Sequence, residues 1–308
     1  MKPLPKIPAG IDLALMVAGV FFRIYHWTNI RVFHTVPNYL LFFYVHRQFP
    51  RRGRLNVKHL AFFQKHDQSC IALGPFVDKE TAKIFARSLA PEVGIAELYE
   101  VIRTREGLVA LNLDRPYVAK PAHGSGVVVR KPRGGPLTPG ELEEMERELN
   151  YNYYKAGGEL QYRFLEKKII VEEFLGQPPD VPWDYKVHCY RGHFLYCTVI
   201  MDRFGNSRNQ KLDRDGKLLP LGFSSPWGDN PAGPDDPPLD APDNWEDVVA
   251  AAEKLSALFE YVRVDLFSAG DKVYFGEWTF SPGNCLFRTM PDGASEVETW
   301  LGPVPAGQ

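Results

Sequence analysis

The spacing of apolar positions divides the chain into a helical stretch and a strand-rich stretch. Over residues 10–70 apolar side chains recur at helical intervals, with breaks near Pro37 and the "PRRGR" run. "DKETAKIFARSL" (78–89) keeps the helical spacing, and Asp78 stands where an N-cap belongs. Beyond it the period shortens. "AELYEVI" and "GLVALNL" alternate as strands do, while "RPYVAK" (115–120), "GVVVRK" (126–131) and "KKIIVEEF" (167–174) are rich in β-branched residues. Between the last two lies "TPGELEEMERELNYNYY". Its start is a helix signature: Thr138 as cap, Pro139 in the first turn and Glu141 completing a capping box.

"DYKVHCYRGHFLYCTVIMDR" (184–203) predicts a hairpin turning at Arg191-Gly192, with Lys186 and His188 on one face and Val187 and Cys189 on the other. Residues 222–243, rich in Pro, Gly and Asp, predict a long loop. "NWEDVVAAAEKLSALFE" predicts an amphipathic helix, and "YVRVDLF" and "KVYFGEW" the closing strands. No internal repeat is visible. A helical start, a small αβ lobe, then a mixed sheet with a helix against it predict an α+β protein with a cleft between lobes.

The closing strands carry two acids, Asp265 and Glu277, with Arg263 two residues before the first. A solvated sheet face would explain them; so would a metal site handling phosphate. The two carboxylates can serve one metal only from the same sheet face, and a slip of one residue would separate them. Same-face placement requires an odd-numbered partner for Asp265, such as Phe275. It also predicts an odd number of unpaired residues, three or five, around "SAGD", with Gly270 at positive φ. Val262, Val264 and Leu266 then face the helix of residues 244–260.

Composition narrows the classes. Thirty-six basic against 38 acidic residues leave a net charge of −2, which gives no ground for a general nucleic-acid partner. Four cysteines without metal-ligand spacing suit reduced thiols in a cytoplasmic protein. The apolar run "IDLALMVAGVFF" is short against the roughly 20 residues of a bilayer span, so a transmembrane helix is not expected. No small-residue cleavage site precedes "RIYHW", which argues against a signal peptide. Yet Asp12 is the only acid in residues 1–60, among nine Lys and Arg and many aromatics. A packed helical lobe with a basic rim explains this. Contact at the periphery of an anionic membrane is the alternative.

"AKPAHGSGVVV" sets Lys120 at a strand end before a glycine-rich loop, the form of a flap over phosphates, since glycine lets backbone N–H groups approach an anion. An ordinary glycine hairpin has the same outline. "IIVEEFLG" ends in polar residues, as a hinge offering backbone groups to a purine would, or as any edge strand does.

In order, "DKETAK", "YVAKPAHGSGVVV", "IIVEEFL", "WDYKVHCYRGHF", "MDR", "VRVDLF" and "GEWTFSPGN" resemble the ATP-grasp superfamily, most of all its TupA-like branch, over roughly residues 76–290. The resemblance implies a pre-grasp segment (76–114), a lid subdomain (115–175) and a C-terminal subdomain (176–308) enclosing a nucleotide cleft, and leaves the helical N-terminal region (1–75) largely outside it. It implies ATP and Mg²⁺ as cofactors. Lys83 and Lys120 would meet the phosphates beneath a lid loop of His123, Gly124, Ser125 and Gly126. Glu172, Glu173, Phe174 and Leu175 would form the adenine hinge, and Asp184 would lie near the ribose. Asp265, Glu277 and Thr279 would hold the metal, Thr279 standing where the superfamily usually has asparagine, with Asn284 as another oxygen donor. Arg263, Lys186 and Arg203 would be catalytic, and Ser281, Gly283 and Asn284 would line the substrate side.

The activity implied is an ATP-dependent carboxylate–amine ligase acting through an acyl phosphate, on a small-molecule or glycan carboxylate and an amine nucleophile, in cell-surface polysaccharide or natural-product biosynthesis. Two alternatives stay open. One is a kinase on the same fold; the other is a membrane-surface assembly protein with a vestigial nucleotide site.

Overall fold

The computed structural model describes residues 10–176, 182–201, 208–219, 222–224 and 241–290. Its centre is a six-stranded mixed sheet. In chain order its strands are β1 (Gly94–Ile95), β2 (Asp184–Tyr190), β3 (His193–Met201), β4 (Arg208–Leu212), β5 (Tyr261–Ala269) and β6 (Lys272–Thr279), arranged β1-β6-β5-β2-β3-β4. Only the β1–β6 pair is parallel. A second, antiparallel sheet of four strands runs Leu98–Ile102, Ile169–Glu173, Tyr117–Pro121, Val129–Lys131 across its width. Residues 94–102 thus feed both sheets, Gly94–Ile95 joining the large one and Leu98–Ile102 the small one.

Each sheet has one apolar face covered by a helix. Val262, Val264 and Leu266 are fully buried in the core shared with Val248, Val249, Ala252 and Leu255 of helix Trp245–Ser256. Trp278, opposite Val264, donates its indole N–H to Leu255 O at 2.9 Å. On the small sheet Tyr117, Ala119, Ile169 and Val171 pack with Met145 and Leu149 of helix Pro139–Asn150. That helix starts with the expected capping box: Glu141 N–H donates to Thr138 Oγ1, and Thr138 N–H to Glu141 Oε2. The turn at Arg191-Gly192 is also as expected, both residues having positive φ (48° and 81°) as a tight hairpin of this twist requires.

Three expectations change. "GLVALNL" is not a strand: Arg105–Ala110 is a short helix capped by Thr104, and only Asn112–Leu113 is extended. The apolar run near the start extends into an 18-residue helix, Ile11–Thr28, which by length and composition alone could cross a bilayer. The β5–β6 turn holds two residues, Gly270-Asp271, because Ala269 pairs with Lys272; Gly270 does have positive φ (61°).

An even turn would have put the acids on opposite faces. The register corrects itself downstream. Leu266 pairs with Phe275, but Asp265 pairs with Glu277, so Gly276 is an extra residue bulged out of β6. Without it Glu277 would face Val264 and the helix. The bulge is tight: a Cβ on Gly276 would lie 2.8 Å from the Phe267 ring and 3.0 Å from Asp265 O. Gly276→Ala is therefore expected to cost about 1–3 kcal/mol, the usual penalty of overpacking, and to lower the thermal midpoint. Calorimetry showing an unchanged midpoint would mean the bulge does not need glycine.

Candidate functional site

The polar face of the large sheet meets the polar face of the small one across a cavity. On the large sheet the register builds rows of directly opposed residues. Lys186, Asp265 and Glu277 form one row across β2, β5 and β6; His188, Arg263 and Thr279 form the next; Asp184 and Phe267 flank the first on its other side. Lys186 donates to Asp265 Oδ2 at 2.6 Å and lies 3.7 Å from Asp184. Arg263 grips Asp265 with two hydrogen bonds, 2.6 and 2.7 Å, and donates to Thr279 Oγ1 at 3.0 Å. Lys79 Nζ lies 2.9 Å from Glu277 Oε2.

Burial decides how much these contacts matter. Burial alone would raise the Glu277 carboxyl above the ordinary range, but Lys79, Lys186 and Arg263 outweigh it and hold the group well below. The stability this gives is present above the ordinary carboxylate pKa and is lost as pH falls through the depressed value. Glu277 is thus an anion throughout the neutral range. Burial likewise works against the Arg263 charge, and Asp265 and Glu277 more than restore it.

The small sheet supplies the facing wall. Val118, Lys120, Arg130 and Glu172 line the cavity, followed by Glu173, Phe174 and Leu175 where the strand leaves the sheet. Lys120 pairs with Glu172 Oε1. Gly124, Ser125 and Gly126 lie in the loop between Tyr117–Pro121 and Val129–Lys131 and also line the cavity. Lys79 spans the two walls, since it donates to Gly124 O at 2.5 Å as well as meeting Glu277.

A model of the TupA-like ATPgrasp family matches residues 61–304. The chain belongs to the TupA-like ATP-grasp family. No curated protein was found to match it. Solved ATP-grasp structures resemble it distantly. The ligase PsnB with a phosphomimetic variant of its minimal precursor, Mg and ADP is 10% identical, with TM-score 0.37 over 69% of this chain and 52% of its own. D-alanine–D-alanine ligase from Bacillus anthracis with ATP is 15% identical, with TM-score 0.37 over 72% and 55%. L-amino acid ligase from Bacillus licheniformis is 13% identical, with TM-score 0.42 over 79% and 54%. The chain spans about half the length of these structures.

Within this ATP-grasp chain the candidate residues fall into groups. Lys120, Gly124, Ser125, Gly126, Glu172, Glu173, Phe174, Leu175, Asp184, Lys186, Asp265 and Glu277 share the cavity. Lys83 does not line it. It is buried behind strand Ile169–Glu173, 2.8 Å from Glu172 Oε2 and donating to Ala96 O, and burial lowers its pKa. The lysine of "DKETAK" that reaches the cavity is Lys79, brought there because its N–H bonds Ala122 O beside the lid loop. His123 is likewise internal, its ring nitrogens facing Lys168 O and Glu148 O. Ser281, Gly283 and Asn284 follow β6 in a short 3₁₀ turn away from the cavity lining. Ser281 donates to the buried Glu159 and accepts from Gln161, while Asn284 Oδ1 is buried with no hydrogen-bond partner. Arg203 lies outside the described residues.

The donor set fits Mg²⁺ shared with a nucleotide. Among the described residues no group of three or more His, Cys, Asp or Glu could hold a metal alone. Two facing carboxylates are what Mg²⁺ uses when phosphate oxygens complete its shell. Thr279 Oγ1 accepts a hydrogen bond from Arg263 at 3.0 Å, as the oxygens of Asp265 do from Arg263 and Lys186.

Sequence reasoning missed Lys79, Val118, Arg130 and Phe267. Phe267 was available, being two residues beyond Asp265 on the same strand face. The Lys79/Lys83 exchange generates a prediction. Lys79→Ala should weaken Mg–ATP binding by at least about tenfold, the scale of a lost charge-assisted contact, and should also lower the thermal midpoint, because Glu277 loses a counter-charge. Lys83→Ala should mainly lower the midpoint, since Glu172 is buried and loses one of two counter-charges. Isothermal titration in which Lys83→Ala costs the more affinity would reverse the assignment.

Proposed function

We propose that the chain is an ATP-dependent ligase joining a carboxylate to an amine, releasing ADP and phosphate. The observation that carries this reading is the row Lys186–Asp265–Glu277 with Arg263 beside it, facing Lys120 and the glycine loop across one cavity. Lys120 and Lys79 would bind the polyphosphate, and the N–H groups of Gly124 to Gly126 would close over it. Val118, Phe174, Leu175 and Phe267 give the apolar surface a purine needs, and the strand end at Glu173 gives backbone groups for its edge.

Asp265 and Glu277 would hold Mg²⁺, which when bound neutralises phosphate charge during phosphoryl transfer. Arg263 is oriented in advance by Asp265 and Thr279, so it can meet negative charge developing on an acyl oxygen without reorganising. Lys186, pinned between Asp184 and Asp265, adds a second fixed cation on the same face. No covalent protein nucleophile is required. The substrate classes we propose are a small-molecule or glycan carboxylate, as in cell-surface polymer synthesis, and an amino-acid amine.

Two experiments test this. With both substrates the enzyme should release ADP and free phosphate in equal amounts. ADP with the phosphoryl group retained on an acceptor would mean a kinase, and AMP with pyrophosphate would exclude both. Asp265→Asn and Glu277→Gln should each abolish turnover while leaving the circular-dichroism spectrum unchanged. Full activity of either in millimolar Mg²⁺ would remove it from the metal site, and inactivity of the unaltered chain on every acid–amine pair would favour a vestigial site.

A further inference from the structure

The first two helices, Ile11–Thr28 and Val32–His46, pack against each other and against the core through one side only. Phe22, Tyr25, Leu41 and Val45 are buried there. The other side is apolar as well. On the first helix Leu13, Met16, Val17, Val20 and Trp27 recur at helical spacing and are exposed, Met16 by 64% and Trp27 by 79%. On the second, Val32, Val36, Leu40 and Phe43 do the same, Leu40 by 59%. The strips adjoin at Phe21 and Phe33, whose rings stack at 6.2 Å, and Phe49 extends the second by stacking on Phe43 at 4.7 Å. A soluble face of this kind normally carries charge, and an apolar one marks an interaction surface.

The rim identifies the partner. From residue 10 to 60 the chain has one acid, Asp12, whereas Arg23 on the first helix and Arg31 and Arg47 at the two ends of the second are all exposed. Lys155 joins them from elsewhere in the chain, its ammonium 5.2 Å from the Trp27 ring. A protein interface would set both signs of charge around an apolar centre. A rim of one sign, with an exposed Trp at its edge, complements an anionic lipid surface. We infer that this helical pair is a docking face for anionic membrane, with the strips entering the headgroup–acyl boundary and the arginines meeting lipid phosphates. The face is independent of the ligase reading and would hold the catalytic cleft at a membrane whichever reaction it performs.

The test uses the full chain and vesicles of phosphatidylcholine with or without phosphatidylglycerol. Flotation should recover the protein with the anionic vesicles and far less with the neutral ones, and high salt should weaken recovery. Trp27 emission should shift to the blue on anionic vesicles, and Trp27→Phe should remove that shift. Met16→Glu with Leu40→Glu should cut vesicle binding at least about tenfold, and Arg23→Glu with Arg31→Glu about fivefold or more per residue. These positions are exposed, so thermal midpoint and nucleotide affinity should not move, which separates lost docking from lost folding. Absence of binding to anionic vesicles would overturn the inference. So would concentration-dependent dimers that Met16→Glu and Leu40→Glu dissolve without lipid, since a second copy would then be the occupant. Resistance to alkaline carbonate extraction would overturn it as well, because the first helix would then span the bilayer.

Discussion

Two carboxylates opposed on neighbouring strands repel each other, and in a buried cleft the repulsion is strong enough to protonate one of them. Glu277 escapes this because three cations are fixed around the pair. Arg263 is on the same strand, Lys186 on the next, and Lys79 arrives from the segment before helix Thr81–Leu89. Truncating any one cation would leave a buried charge short of its partner, which costs far more than the pair ever contributes. The strand register is therefore an electrostatic requirement. The row works only while Lys186, Asp265 and Glu277 stay directly opposed.

That register shows what sequence could and could not reveal. Residue types and two-residue periodicity were enough to single out Asp265, Glu277 and Arg263 and to state the shared face as the condition for a joint site; Lys186 came from the family resemblance. They were not enough to say how parity is reached. A bulge is one residue deciding not to pair, and the reason is a close approach of Gly276 to Phe267 and Asp265 that exists only after folding. The capping box at Thr138 was legible because it is local, being written within four residues and satisfied by their own backbone. The "GLVALNL" segment misled for the converse reason. Its alternation is real, but Thr104 caps a helical turn, and a local cap outranks a short two-residue pattern.

His123 and Lys83 illustrate a second limit. Both stand within motifs that carry the family resemblance, yet the fold uses them beneath the site. His123 ties the lid loop to Lys168, and Lys83 fixes Glu172 from behind. Periodicity cannot tell a residue that lines a cleft from one that props its wall, because both point inward. Only the third dimension separates Lys79 from Lys83.

Lys79 then joins the parts. Its ammonium has three donors, and two are engaged, one by Gly124 O in the lid loop and one by Glu277 on the sheet. Lys79 also lines the cavity, where the third can serve a bound group. An anion arriving there meets a cation already held by both walls, so little ordering entropy remains to be lost on binding. Through these two contacts Lys79 links the loop at Gly124 to the carboxylate row.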